Sequence, residues 1–147
     1  MNGDLTCFKS YDIRGDLTKN FDSEICYRIA RSFAMFLKAQ KVVVGRDARE
    51  SSPKLLDSIC RGLMDEGVKV LDIGLSGTEE MYWATTKYDA SGGIEITASH
   101  NPINFNGLKL VKFGSNPISK DELLEIKRLA EVTSFEKLKS KIGRAHV

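Results

Sequence analysis

The chain is short of the residues that carry metal and disulfide chemistry, with two histidines and three cysteines in 147 residues. Cys7, Cys26 and Cys60 are odd in number and far apart, and His100 and His146 stand alone, so no metal-ligand spacing can be drawn. Reduced thiols in a cytoplasmic protein are the expected reading. Basic blocks are missing too. The formal charge is +2 and no aromatic residues interleave with clustered lysines, which argues against a nucleic-acid partner. No apolar run approaches the roughly 20 residues of a membrane span, so no membrane partner is expected. Met1-Asn2-Gly3-Asp4-Leu5 lacks the basic and apolar regions of a secretory signal. There is no Gly-x-Gly-x-x-Gly after the first β-branched run, no Walker lysine and no Gly-x-Ser-x-Gly elbow. Nucleotide cofactors and serine hydrolysis therefore have no motif behind them.

What is present is a composition, 41% hydrophobic, that suits one globular domain with a real core. Phe8 to Gly15 alternates like a short extended segment, and Gly15-Asp16 suggests a turn. Ser23 to Lys38 places Ile25, Ile29, Phe33, Phe36 and Leu37 at helical spacing, with Asp22 or Ser23 as cap. Lys41 to Gly45 is the β-branched run of a strand buried on both faces. After it, Asp47 between Arg46 and Arg49 reads as a structural ion pair. Ser51-Ser52-Pro53 opens a second helix with a serine cap, and Gly67 stops it. Val68 to Gly74 is the next strand, and Thr78 caps a third helix through Tyr88. Gly93 to Ile96 and Leu108 to Val111 read as strands, with Asn106-Gly107 as a tight turn that would let them pair antiparallel. Ser119-Lys120-Asp121-Glu122 is a capping box for a last helix. This order implies an α/β fold, a three-layer α/β/α sandwich with a mixed, mostly parallel sheet.

The chemistry centres on Thr97-Ala98-Ser99-His100-Asn101-Pro102, a loop beyond the carboxyl end of a strand, where open α/β sheets bind ligands. Ser99 beside His100 is not a triad, because adjacent residues on an extended loop point apart. Lys109 lies a short strand away, and Tyr11 and Arg14 sit close together near the N-terminus. A serine to carry phosphate, cations to neutralise it and a lysine to move a proton would suit phosphoryl transfer. By residue types and spacing alone, a capping serine and a snorkelling lysine explain the same residues.

Four motifs in order resolve this. Tyr11-Asp12-Ile13-Arg14-Gly15, Gly45-Arg46-Asp47-Ala48-Arg49-Glu50-Ser51-Ser52, Thr97 to Pro102 and Asn106-Gly107-Leu108-Lys109 resemble the motifs of the α-D-phosphohexomutases, over about Cys7 to Glu131. Asp72 to Glu80 is similar to the bacterial phosphomannomutase branch, which supplies GDP-mannose. The resemblance implies interconversion of mannose 6-phosphate and mannose 1-phosphate, with a sugar 1,6-bisphosphate as activator. Ser99 would be the phosphoserine and, through a phosphate oxygen, a ligand of Mg²⁺. Lys109 would be the general acid or base, with His100 as a proton-handling partner. Tyr11, Arg14 and Asn101 would position substrate and phosphate, while Asp47 stays structural. Relatives that share these motifs act on glucose or glucosamine phosphates, and a non-catalytic sugar-phosphate-binding domain is the rival class.

Members of this family have four domains around one cleft, and the resemblance covers only the first, residues 1–133. The second to fourth domains, with the other Mg²⁺ ligands and the sugar-selecting loop, are expected elsewhere, so this chain alone is expected to be inactive. Residues 134–147 read as a tail, and Ile142 to Val147 resembles a translated sequencing adapter, so His146 is left out of any mechanism.

Overall fold

The structure is a computed structural model of the chain and describes residues 4–135 and 144–147. The β-branched run forms β2 (Lys41–Arg46), and Val42, Val43 and Val44 are fully buried on both faces, as such a run predicts. β3 (Lys69–Leu75) and β4 (Gly92–Ile96) flank it in parallel. β4 pairs antiparallel with β5 (Phe105–Lys112), which also pairs antiparallel with β1 (Ile13–Asp16) and the short β6 (Asn116–Pro117). β7 (Arg144–His146) lies parallel to β3. The order is β1-β5-β4-β2-β3-β7, with β6 beside β5, and β5 runs against every other strand of this seven-stranded sheet. The sheet is therefore mixed and mostly parallel in direction.

Strand alternation sorts the core into two layers. Val42, Val44, Val70, Ile94, Ile96 and Leu108 meet α1 (Ser23–Leu37), α2 (Ser52–Asp65) and α4 (Lys120–Val132) through Ile29, Phe33, Ile59, Leu63 and Ile126. On the other face Val43, Leu71 and Val111 meet Met81 and Ala84 of α3 (Thr78–Lys87). This is the α/β/α sandwich, with a single helix on its second face among the described residues. None of the described helices is long and apolar enough to cross a membrane. All three cysteines are free and buried, and burial pushes the Cys7 thiol up to about 11 and Cys60 up to about 12, which keeps both unreactive at neutral pH.

Several local expectations are corrected. The chain does not turn at Gly15-Asp16. β1 continues through both, and the turn follows at Leu17 to Asn20, where Asp16 Oδ1 accepts from Thr18 N at 2.9 Å. Asn106-Gly107 is not a turn either. Both lie inside β5 because the Asn106 side chain is engaged elsewhere and the Gly107 backbone pairs with Arg14. Asp22, not Ser23, caps α1 by accepting from Ile25 N at 2.8 Å. Ser51 makes no side-chain cap bond. At α3 the cap position is Gly77, not Thr78, and Glu80 Oε1 reaches back to Gly77 N at 2.9 Å. The Ser119 capping box forms as expected, with Glu122 N donating to Ser119 Oγ and Ser119 N to Glu122 Oε1. Of the expected tail, residues 136–143 lie outside the described residues. Arg144, at the start of β7, binds Asp72 Oδ2 at 2.6 Å and Asp57 Oδ1 at 2.9 Å.

Candidate active site beyond the carboxyl end of β4

β4 ends at Ile96, and Thr97 N makes a last cross-strand bond to Gly107 O at 2.9 Å. Thr97 Oγ1 then accepts from Ser99 N at 3.0 Å, while Asn101 N and Nδ2 both donate to Ala98 O, at 3.0 and 2.7 Å. These local bonds fold the loop back on itself and leave Ser99 and His100 exposed. Ser99 sits at φ 53°, in the left-handed region that a side chain enters only when its surroundings hold it there.

Those surroundings centre on Arg49. Its Nη1 donates to Pro102 O at 2.7 Å and Phe105 O at 3.0 Å, and its Nη2 donates to Ser99 O at 3.1 Å and Asn101 O at 2.5 Å. One guanidinium thus gathers the carbonyls of the whole loop. Asp47 fixes the clamp from behind. Asp47 Oδ1 accepts from Arg49 N at 3.1 Å and from Ser52 Oγ at 2.6 Å, and Asp47 Oδ2 lies 3.6 Å from Arg49 Nε. The structural part expected of Asp47 is its observed environment. Asp47, Arg49, Glu50, Ser99, Asn101 and Ile103 line an open groove over this loop.

Asn106-Gly107 ties the motifs together from below. Asn106 is fully buried and its Nδ2 donates to Ser51 Oγ at 2.8 Å and Ser52 Oγ at 2.9 Å. Ser51 itself has helical backbone angles, φ −76° and ψ −18°, instead of the extended ones of a capping serine. Gly107 must lack a side chain, since a Cβ there would lie 2.2 Å from Ile13 O and 2.9 Å from Arg14 Cγ. Arg14 therefore lies across Gly107, on the same strand pair that carries Lys109.

Asp12 joins the remaining candidates. Its Oδ2 lies 3.3 Å from Lys109 Nζ and its Oδ1 3.4 Å from Arg14 Nε, so one half-buried carboxylate bridges both cations. Tyr11, 74% exposed, stands at the rim of a cavity that Asp12 and Lys109 also line. The structure thus groups Tyr11, Arg14 and Lys109 around Asp12, and Ser99 and Asn101 around Arg49. No hydrogen bond joins the two groups directly, and His100 bonds to no side chain among the described residues. Arg49, Asp12 and Asn106 are residues that spacing did not single out. The signal available was only that each lies inside a quoted motif.

Glu95 is a fourth residue missed. It is fully buried in β4, and its Oε1 accepts from Ser76 Oγ at 3.0 Å, while Oε2 has no protein partner. Gly45 makes room for it, because a Cβ there would lie 2.5 Å from Glu95 Oε1 and 2.2 Å from Ser76 Oγ. Burial pushes its carboxyl up to about 8, against the pull of the Ser76 bond and with the nearby Asp47 and Glu80 charges adding to the rise. That rise favours the neutral form of an acid at the sheet's centre.

For Mg²⁺ the donor set in hand is thin. A phosphate on Ser99 would offer one oxygen, but no group of three or more His, Cys, Asp or Glu side chains that could hold a metal ion occurs among the described residues. These residues do not make a magnesium site by themselves.

Comparison with known proteins fits this geometry. The family model for the phosphoglucomutase/phosphomannomutase alpha/beta/alpha domain I matches residues 6–137. A phosphomannomutase of Klebsiella pneumoniae is 56% identical over 132 residues, covering 89% of this chain and 84% of that one. A phosphomannomutase of Escherichia coli is also 56% identical over 132 residues, but the chain spans only 29% of its length. The crystal structure of a phosphoglucomutase/phosphomannomutase family protein from Burkholderia thailandensis superposes with a TM-score of 0.82 at 28% identity, over all of this chain and 33% of that one. A match along residues 6–137 and relatives at this level of identity mean that the chain belongs to the phosphoglucomutase/phosphomannomutase family, whose α/β/α domain I it carries.

Proposed function

We propose that this chain is the phosphoserine domain of a cytoplasmic phosphomannomutase, which interconverts mannose 6-phosphate and mannose 1-phosphate and so feeds GDP-mannose synthesis. The observation that carries the reading is Ser99, exposed at φ 53° beyond the end of β4, with the loop's carbonyls drawn away by Arg49. Ser99 is thus left open to the groove that Arg49, Glu50, Asn101 and Ile103 line.

In the first transfer the bond from phosphorus to Ser99 Oγ breaks and a bond from phosphorus to a sugar hydroxyl oxygen forms. Lys109 serves as general base for the hydroxyl proton, and Ser99 Oγ leaves and takes up a proton. The resulting sugar 1,6-bisphosphate presents its other phosphate. Ser99 Oγ then gives up its proton and attacks that phosphorus, the bond to the sugar oxygen breaks, and a proton returns to that oxygen. Arg14 and Tyr11 hold phosphate near Lys109, Asn101 shapes the loop through its bonds to Ala98 O, and exposed His100 handles protons beside Ser99. A phosphate on Ser99 would give Mg²⁺ one oxygen ligand, and the bound ion would neutralise charge during transfer. In this reading its further ligands and the sugar-selecting groups belong to the rest of a longer protein, and the 147-residue chain alone is inactive.

Three measurements test this. Phosphopeptide mass spectrometry of the full-length protein carrying this chain should find phosphate on Ser99, and Ser99→Ala should abolish conversion of mannose 1-phosphate in a coupled assay with Mg²⁺ and glucose 1,6-bisphosphate. An unmodified Ser99 that takes up no phosphate from the bisphosphate would point to a non-catalytic sugar-phosphate-binding domain. Turnover by the 147-residue chain alone would overturn the claim that it is inactive.

A further inference from the structure

Phosphoryl transfer at Ser99 requires more than an exposed hydroxyl, because the loop that presents it is built from backbone whose oxygens repel phosphate. Between Ser99 and Phe105, four carbonyls turn onto the two terminal nitrogens of one guanidinium. Nη1 serves the far end of the loop and Nη2 the end that holds Ser99 and Asn101. The Arg49 side chain is itself largely buried, at 14% exposure, and Asp47 sets its direction.

We propose that Arg49 is the positioning residue of Ser99, an inference that rests on reading Ser99 as the phosphate carrier. The clamp does two things. It holds Ser99 in the left-handed conformation, which the chain would leave if the four carbonyls lost their partner. It also points those carbonyl oxygens inward, away from the side on which a phosphate approaches. Lysine cannot substitute, because a point charge with three rotatable donors does not reproduce a planar fork that serves four acceptors. Arg49 touches no reacting atom in this scheme. Its effect passes through the backbone of residues 99–105.

The test has two arms. In the 147-residue chain, amide hydrogen exchange of Arg49→Lys and Arg49→Met should rise about tenfold or more in residues 99–105, with exchange in β2 and α1 unchanged. In the full-length protein, the same variants should lose about 100-fold in kcat for mannose 1-phosphate, with KM within about threefold. Added methylguanidinium should restore part of kcat to Arg49→Ala but none to Ser99→Ala. Unchanged exchange at 99–105 in Arg49→Met overturns the proposal. So does exchange that rises across every segment together with a fallen Tm, since Arg49 would then be a stability residue alone. If the wild-type protein takes no phosphate on Ser99, the mutase reading fails, and the exchange arm still decides whether Arg49 holds the loop.

Discussion

Glu95→Gln should remove most of a pH dependence that the fold carries at its centre. The Glu95 carboxyl is fully buried, keeps one bond to Ser76 Oγ and leaves Oε2 without a protein partner. Its folded value is about 8, against 4.5 in the unfolded chain. Between those values the folded state holds a proton that the unfolded state has released. Folding stability therefore falls as pH rises from about 4.5 towards 8. Below 4.5 both states are protonated and the contribution is flat. At about 1.36 kcal/mol per pH unit, the loss from pH 5.5 to 7.5 is roughly 2–3 kcal/mol. With a urea slope of roughly 1–3 kcal/mol/M, that moves the wild-type midpoint down by about 1–3 M.

Glutamine keeps the oxygen that Ser76 donates to and cannot ionise. The measurement is urea unfolding of wild type and Glu95→Gln by far-UV circular dichroism at pH 5.5, 6.5 and 7.5. Groups other than Glu95 titrate in both proteins, so the difference between them isolates this carboxyl. The variant should be the more stable protein at pH 7.5, and the gap should narrow as pH falls to 5.5. Two curves that stay parallel across the range would refute the argument, because Glu95 would then be ionised in the fold or hydrated there.

Two further substitutions test how the site is assembled. Asp12→Asn removes the carboxylate shared by Arg14 and Lys109, and should cost about 0.5–1.5 kcal/mol in urea unfolding, with the loss shrinking at high salt. A salt-independent loss would mean that Asp12 acts by packing. Asn106→Ala removes both bonds to Ser51 and Ser52 from a fully buried position, and should cost about 2–3 kcal/mol by the same measurement. A loss below about 0.5 kcal/mol would show that these bonds do not join the motifs.

Periodicity made the scaffold legible. The β-branched run Lys41–Arg46 and the helical spacing of α1 and α4 mark elements whose stability comes from burial, and burial leaves a pattern in apolar residues. The turns were less legible. Asn106-Gly107 has the composition of a tight hairpin turn, but its residues serve long-range bonds to Ser51, Ser52 and the Arg14 backbone. Local turn chemistry competes with tertiary partners that lie more than 50 residues away, and here the tertiary partners win. At α3 the helix begins at Thr78 itself, and the local bond from Gly77 N to Glu80 Oε1 puts the cap position one residue earlier.

The site was legible only as a set of motifs, and the geometry explains why spacing could not go further. Ser99, Lys109 and Arg14 are surface residues whose types recur in any soluble protein. What makes them a site is the frame beneath them. Arg49 holds the Ser99 loop, Asp47 holds Arg49, Ser52 bonds to Asp47, Asn106 bonds to Ser52, and Gly107 follows it beneath Arg14. Each link joins one motif to another or steps along one, so the four motifs form one hydrogen-bonded frame in space. Most motif positions therefore serve backbone geometry, and fewer serve chemistry. A frame of this kind leaves no period in the sequence, because its partners lie on different strands and loops.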